Sequence, residues 1–304
     1  MSADLRSSSL RTSFIAFVVL LLSLFGAYLL GLSRSSRGLS TVFEERIRRE
    51  QLVSDMLVNL TASAEAEKRA VMAETDEASK ANAQEAQRTS TAVEDARREL
   101  ARLTRREDSS EESKLINEFN AAWTEFQALD REILGLAVEN TNLKAMRLSI
   151  GPASDALRRL EAALKELVAG EDSRPDSDEA AIQVVVAALK MFALQSRHIA
   201  EASDEEMDRI EVEMKALDKE AGDGLIKLSE LNVETQQAIL AQAQTAYSDF
   251  QKLHSQILDL SRRNSNVRSL ALSLGKKRIA TAKCTEVLSA LQSSIRSEKF
   301  PATR

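Results

Sequence analysis

Structure breakers, cysteine and aromatic residues are all scarce in this chain. Its 304 residues include only 9 Gly, 3 Pro, 1 Cys and 4% aromatics. A β-rich domain of this size needs many turns, and turns draw on Gly, Pro, Asn and Asp for their special backbone angles. Between Leu39 and Lys299 there are two prolines, Pro152 and Pro175, and six glycines. That is too few for alternating βαβ units, which turn every ten residues or so. A single cysteine, Cys284, allows neither an intrachain disulfide nor a cysteine-based metal site. A net charge of −6 lacks the basic surplus of a nucleic-acid binder. What is present is 43% hydrophobic and 29% charged residues, enough apolar content to bury a core. Long helices fit these numbers.

The run Phe14 to Leu32 has 19 residues without a charge. As a helix it spans roughly 28 Å, about the thickness of a bilayer's hydrocarbon core. The competing reading is a cleaved signal peptide, whose apolar region is shorter and precedes a small-x-small site. Here Ser33-Arg34-Ser35-Ser36-Arg37 follows instead. The sequence therefore predicts a short tail over 1–13, an uncleaved transmembrane helix over 14–32 and a juxtamembrane helical linker over 33–49. Arg6 and Arg11 before the span nearly balance Arg34 and Arg37 after it, so charge alone leaves the orientation open.

An internal repeat is the most informative feature. Trp123 to Gly151 and Tyr247 to Gly275 align without a gap at an offset of 124, with 11 of 29 positions identical. The shared residues include Asn140/Asn264, Asn142/Asn266, Ser149/Ser273 and the terminal glycines. A weaker pair precedes it: RAVMAETDE from Arg69 and RHIAEASDE from Arg197, at an offset of 128. Polar breaks near 107–111 and 170–178 divide the chain into helical pairs over 38–168 and 178–297. The spacing of Phe250, Leu253, Ile257, Leu260, Asn264, Val267, Ala271 and Leu274 alternates three and four, and Phe126 through Asn140, Arg147 and Ile150 repeats it. The expected fold is all-α. An N-terminal transmembrane helix leads into a long antiparallel up-down-up-down four-helix bundle over 50–298, built from two repeated helical hairpins, with a tail over 299–304. Gly151-Pro152 predicts a kink that the second copy, with Gly275-Lys276, lacks.

Folding each pair about its turn brings the repeated polar residues to one level. Asn140 and Asn264 fall on core seams, where a buried Asn commonly fixes register. Arg147 falls on a core phase too, and must find carboxylates or an external anion. The candidate site is a small organic-anion pocket made by Arg69, Arg147 and Arg197 with Thr75, Asp76, Asn140, Ser203 and Asn264. The competing reading is internal pairing and register. His198 and His254 sit at different levels, which disfavours a metal site, and no cofactor motif or catalytic constellation appears. The chain reads as a non-enzyme.

The strings LSTVFEERI, EKRAVMAETDE and NEFNAAWTEFQALDREILGLAVENTNLKAMRLSIGPASDAL make the chain resemble a known family. It is similar, over about residues 12–297, to the extracytoplasmic four-helix-bundle sensor domain of bacterial methyl-accepting chemotaxis receptors. The resemblance implies a single span in the inner membrane, a cytoplasmic N-terminus and a periplasmic bundle. It further implies a homodimer or association with full-length receptors, and a small-molecule signal, often an organic anion. It transfers no fixed ligand motif. Residues 276–304 are amphipathic and charged and do not form the second span such receptors carry. The family's cytoplasmic signalling output is therefore not expected of this chain. The alternatives are a ligand-free helical stalk in the cell envelope and a truncated receptor fragment.

Overall fold

A computed structural model describes residues 43–104, 110–170, 174–231 and 236–297. The expected tail, span and first part of the linker, and the C-terminal tail, lie outside the described residues. Among the described residues every regular element is helical, and none is long and apolar enough to cross a membrane.

The elements in chain order are α1 (43–71), α2 (Asp76–Thr104), α3 (Ser110–Glu139), α4 (Thr141–Leu148), a π-helical turn (Ser149–Ala153) and α5 (Ser154–Ala169). Then come α6 (Pro175–Ala200), α7 (Asp204–Leu231), α8 (Gln237–Arg263), α9 (Ser265–Leu272), a second π-helical turn (Ser273–Lys277) and α10 (Arg278–Ser297).

The leading helical run of each pair expected over 38–168 and 178–297 does not continue unbroken but folds back on itself. The first reverses at 72–75. Ser63 Oγ donates to Ala86 O at 3.1 Å, Ser79 Oγ to Ala70 O at 3.1 Å, and Arg69 Nε to Asn82 Oδ1 at 3.2 Å. Pairs closing symmetrically about residues 74–75 are the mark of a helical hairpin. The second run reverses at 201–203, where Arg197 pairs with Glu206 and His198 Nε2 lies 2.9 Å from Glu211 Oε1. Neither turn uses Gly or Pro. Each is made by a stop and a start: the Thr75 hydroxyl accepts from Ala78 N–H and the Ser203 hydroxyl from Glu206 N–H, capping α2 and α7. Asp76 and Glu77, and Asp204 to Glu206, then place acids in the first turns, favourable to the helix dipole.

The contacts divide the chain into two units. The first comprises, of the described residues, 43–59, 92–104, 110–119 and 285–297. Its core is Leu52, Val53, Met56, Val93, Leu100, Phe119, Leu288, Leu291 and Ile295. It also buries an ion pair, Arg49 Nη1 to Glu112 Oε2 at 2.6 Å, both essentially inaccessible. Removing one partner of such a pair strands a charge, at a cost of about 3–5 kcal/mol.

The second unit, residues 60–91 and 120–284, holds the candidate site. Here α6 packs against α7 and α5 against α8, around Leu160, Leu164, Val184, Ala188, Met191, Ala221, Leu228 and Phe250. Gly224 makes the α6–α7 approach possible, because a Cβ there would stand 2.6 Å from Val184 Cγ2. The Ala-rich start of α2 is a close interface, with Ala83 and Ala86 buried.

Both seams hold as far as the asparagines and fail beyond them. Phe126, Ile133, Phe250 and Ile257 are buried, but Ile150 and Leu274 are 65% and 58% exposed and Arg147 is on the surface. The cause is local. Asn140 (φ 50°, ψ 40°) and Asn264 (φ 52°, ψ 37°) are left-handed and interrupt their helices, and the π-helical turns follow. Each resets the phase of the face that points inward. The distortion at Gly151-Pro152 is duplicated after all: both copies carry a π-helical turn, with or without proline.

Candidate ligand-sensing site

The two left-handed asparagines bring the N-termini of α4 and α9 side by side, and the pair is joined reciprocally. Thr141 N–H donates to Ser265 Oγ at 3.1 Å, and Ser265 N–H to Thr141 Oγ1 at 3.0 Å. Asn142 N–H donates to Asn266 Oδ1 at 3.2 Å, and Asn266 N–H to Asn142 Oδ1 at 3.1 Å. Across the pseudo-twofold, Asn142 Nδ2 donates to Asn264 Oδ1 at 2.7 Å and Asn266 Nδ2 to Asn140 Oδ1 at 3.0 Å. The first N–H groups of a helix have no partner within it, so each N-terminus is satisfied by the other's side chains.

The hairpin turns complete this layer. Asn140 Nδ2 donates to Asp76 Oδ1 at 2.9 Å, Asn264 Nδ2 to Glu201 O at 2.8 Å and Asn142 Nδ2 to Ile199 O at 2.7 Å. On the rim, Lys144 faces Asp76 and Arg268 faces Asp204, each at 3.6 Å and at matching repeat positions. The two hairpin turns and the two left-handed asparagines thus meet in one polar layer.

Of the eight sequence-predicted residues, Asn140 and Asn264 lie buried in the layer. Thr75 and Ser203 are exposed caps, and Asp76 is half-buried on Asn140. The three arginines are exposed and do not converge. Arg69 bonds Asn82, Arg147 Nη2 donates to Glu74 O at 2.7 Å, and Arg197 pairs with Glu206. The core-facing Arg147 expected from the seam is therefore corrected: the left-handed Asn140 turns it outward.

Sequence reasoning missed a second pair of sites. Beyond α4, Ser149 Oγ donates to Gln195 Oε1 at 2.7 Å, and Gln195 Nε2 donates to His254 Nδ1 at 3.1 Å. All three are buried, burial lowers the His254 pKa, and the ring's Nδ1 accepts the amide proton, as only a neutral imidazole can. Nearby, His198 Nδ1 meets Ser261 Oγ at 2.8 Å and its Nε2 meets Glu211, which Arg262 also grips. Burial lowers the His198 pKa, and the Arg262 hydrogen bond holds the Glu211 carboxyl below its usual range. Asp218, Gln251 and His254 line a groove of about 560 Å³ between α7 and α8.

The repeat offsets carry Ser149, Gln195 and His254 onto Ser273, Glu67 and Asp130. These too are buried together, with Lys277 where the other copy has Ala153. Lys277 Nζ contacts Asp130 Oδ1 at 2.6 Å and Phe126 O at 3.1 Å, and sits 3.2 Å over the Phe126 ring. The signal was in the sequence as the retained serines of the repeat; nothing in it showed that these point inward. Cys284 is buried, its thiol pushed up to about 12 by burial. Among the described residues no group of His, Cys, Asp and Glu could hold a metal ion.

Comparison with known proteins agrees with this architecture. The model of a four-helix-bundle sensory module for signal transduction, of the chemotaxis-receptor type, matches residues 9–173, more than half of the chain. No curated protein and no solved structure matches it. On that match, the chain belongs to the family of four-helix-bundle sensory modules for signal transduction.

Proposed function

We propose that the chain is a membrane-anchored sensor whose helical domain lies outside the inner membrane and whose signal is a small organic anion read at the polar layer. The uncharged run 14–32 is its anchor, with the N-terminus in the cytoplasm. It has no enzymatic role and acts by pairing, with a second copy or with full-length receptors.

The reciprocal junction of α4 and α9 carries this reading. Two helix N-termini meet there, and such N–H groups are a ready site for an anion. Their present partners are hydroxyls and amides of the facing helix, which a carboxylate can replace. Arg69, Arg147 and Arg197 on the outside supply the attracting charge, and Thr75, Asp76, Asn140, Ser203 and Asn264 hold the two turns that an entering anion would move. A second reading, a ligand-free scaffold, is favoured by the mutual saturation of the layer, which fixes register as it stands.

Thermal melting of the full-length chain against a panel of mono- and dicarboxylates separates the two. A sensed anion at 100 times its Kd adds about 2.7 kcal/mol of stability. At least one acid is expected to raise Tm, and Arg147→Ala is expected to weaken the shift. A flat panel, or a shift untouched by Arg147→Ala, removes the anion site and leaves the scaffold.

A further inference from the structure

Glu67, in the second unit's part of α1, is 1% exposed, and its Oε1 has no hydrogen-bond partner. The groups that face it can be named element by element. The second π-helical turn contributes Ser273 and Lys277, α3 contributes Asp130, and α10 contributes Cys284 beside Lys277. From α2 the facing buried positions are Ser79, Ala83 and Ala86, none of them titratable. Lys68, on α1 itself, is exposed. The buried cluster therefore has two carboxyls and one ammonium.

The ammonium is already committed. Lys277 holds Asp130 at 2.6 Å and lies over the Phe126 ring. Burial pushes both members of that pair towards neutrality, while their 2.6 Å contact and the ring beneath the ammonium oppose it. A charged Glu67 would then stand in the core with no counter-ion of its own, which is costly.

The repeat supplies the comparison. The counterpart of Glu67 is Gln195, whose amide accepts from Ser149 and donates to His254. Ser273 and Asp130 stand at the matching positions. A protonated carboxyl offers the same acceptor and donor as an amide; an ionised carboxylate offers no donor. We propose that Glu67 is a proton-binding site, held as the neutral acid in the place of Gln195, and that it makes the second unit responsive to alkaline pH. Burial raises the Glu67 carboxyl, with the Ser273 hydroxyl and the Lys277 charge opposing it.

The sign follows from linkage. A carboxyl whose folded pKa is raised stabilises fully below its unfolded value, and that stability is lost as pH rises through the folded value. Infrared spectra of the full-length chain, taken where exposed carboxylates are ionised, are expected to show one protonated-carboxyl band. Glu67→Gln should remove the band and Asp130→Asn should leave it. Wild-type Tm is expected to fall as pH rises above the ordinary carboxylate range, and Glu67→Gln to flatten that fall. The proposal is overturned if the wild type lacks the band, if the band survives Glu67→Gln, or if the variant keeps the wild-type pH slope. The infrared reading on the wild type stands even where the variant fails to fold.

Discussion

Two asparagines set the geometry of the second unit. Asn140 and Asn264 adopt a left-handed backbone that costs most residues about 1–2 kcal/mol and that Asn and Gly tolerate. Each also spends its amide on the layer, so a buried partner is stranded when the side chain goes. Asn264→Gly keeps the backbone and loses the bonds; Asn264→Ala loses both. Urea unfolding of the full-length chain should show Ala below Gly by about 1 kcal/mol. Equal losses would mean that the backbone conformation is not what the residue is there for. The retention of both asparagines in the repeat was legible, and so was their burial. Their handedness was not, because the flanking residues are ordinary helix formers and the apolar spacing continues through Asn140 and Asn264 as if nothing happened.

Between elements, the absence of Gly and Pro misleads. A long stretch without them suggests unbroken helices, yet a helical hairpin needs only a stop and a capped restart. Thr75-Asp76-Glu77 and Ser203-Asp204-Glu205 carry that restart: a hydroxyl cap followed by acids. They were visible as a repeated motif but not as turns, since cap and helix-surface residues share the same chemistry. The two glycines of α7 differ in their neighbours. Gly224 faces Val184 and has no room, whereas Gly222 has nothing within 4 Å of an added Cβ. Gly224→Ala should cost about 1–3 kcal/mol. Gly222→Ala should gain about 0.5–1 kcal/mol from helix propensity alone. Denaturation midpoints of the two variants check this, and a loss at Gly222 would contradict the open surface assigned to it.

For the whole molecule, the repeat is the organising fact. Each half supplies one hairpin and one helix interrupted by a left-handed Asn and a π-helical turn, and the halves meet through matched hydrogen bonds at offsets of 124. Offsets of 124 and 128 set the Ser149–Gln195–His254 cluster against Ser273, Glu67 and Asp130, where Asp130 pairs with Lys277. The fold class and the polar layer could be read from the residues, but the number of helices could not. The polar layer, the twin clusters and the sensory reading all depend on the chain reversing at 72–75. Arg48 and Glu99 test that reversal from within the first unit, where they form a bidentate pair at 2.9 and 3.0 Å. Spin labels at these two positions in the full-length chain should lie below about 20 Å, the span of labels on two packed helices. An unbroken helix would hold them about 77 Å apart, and a distance of that order would contradict the account.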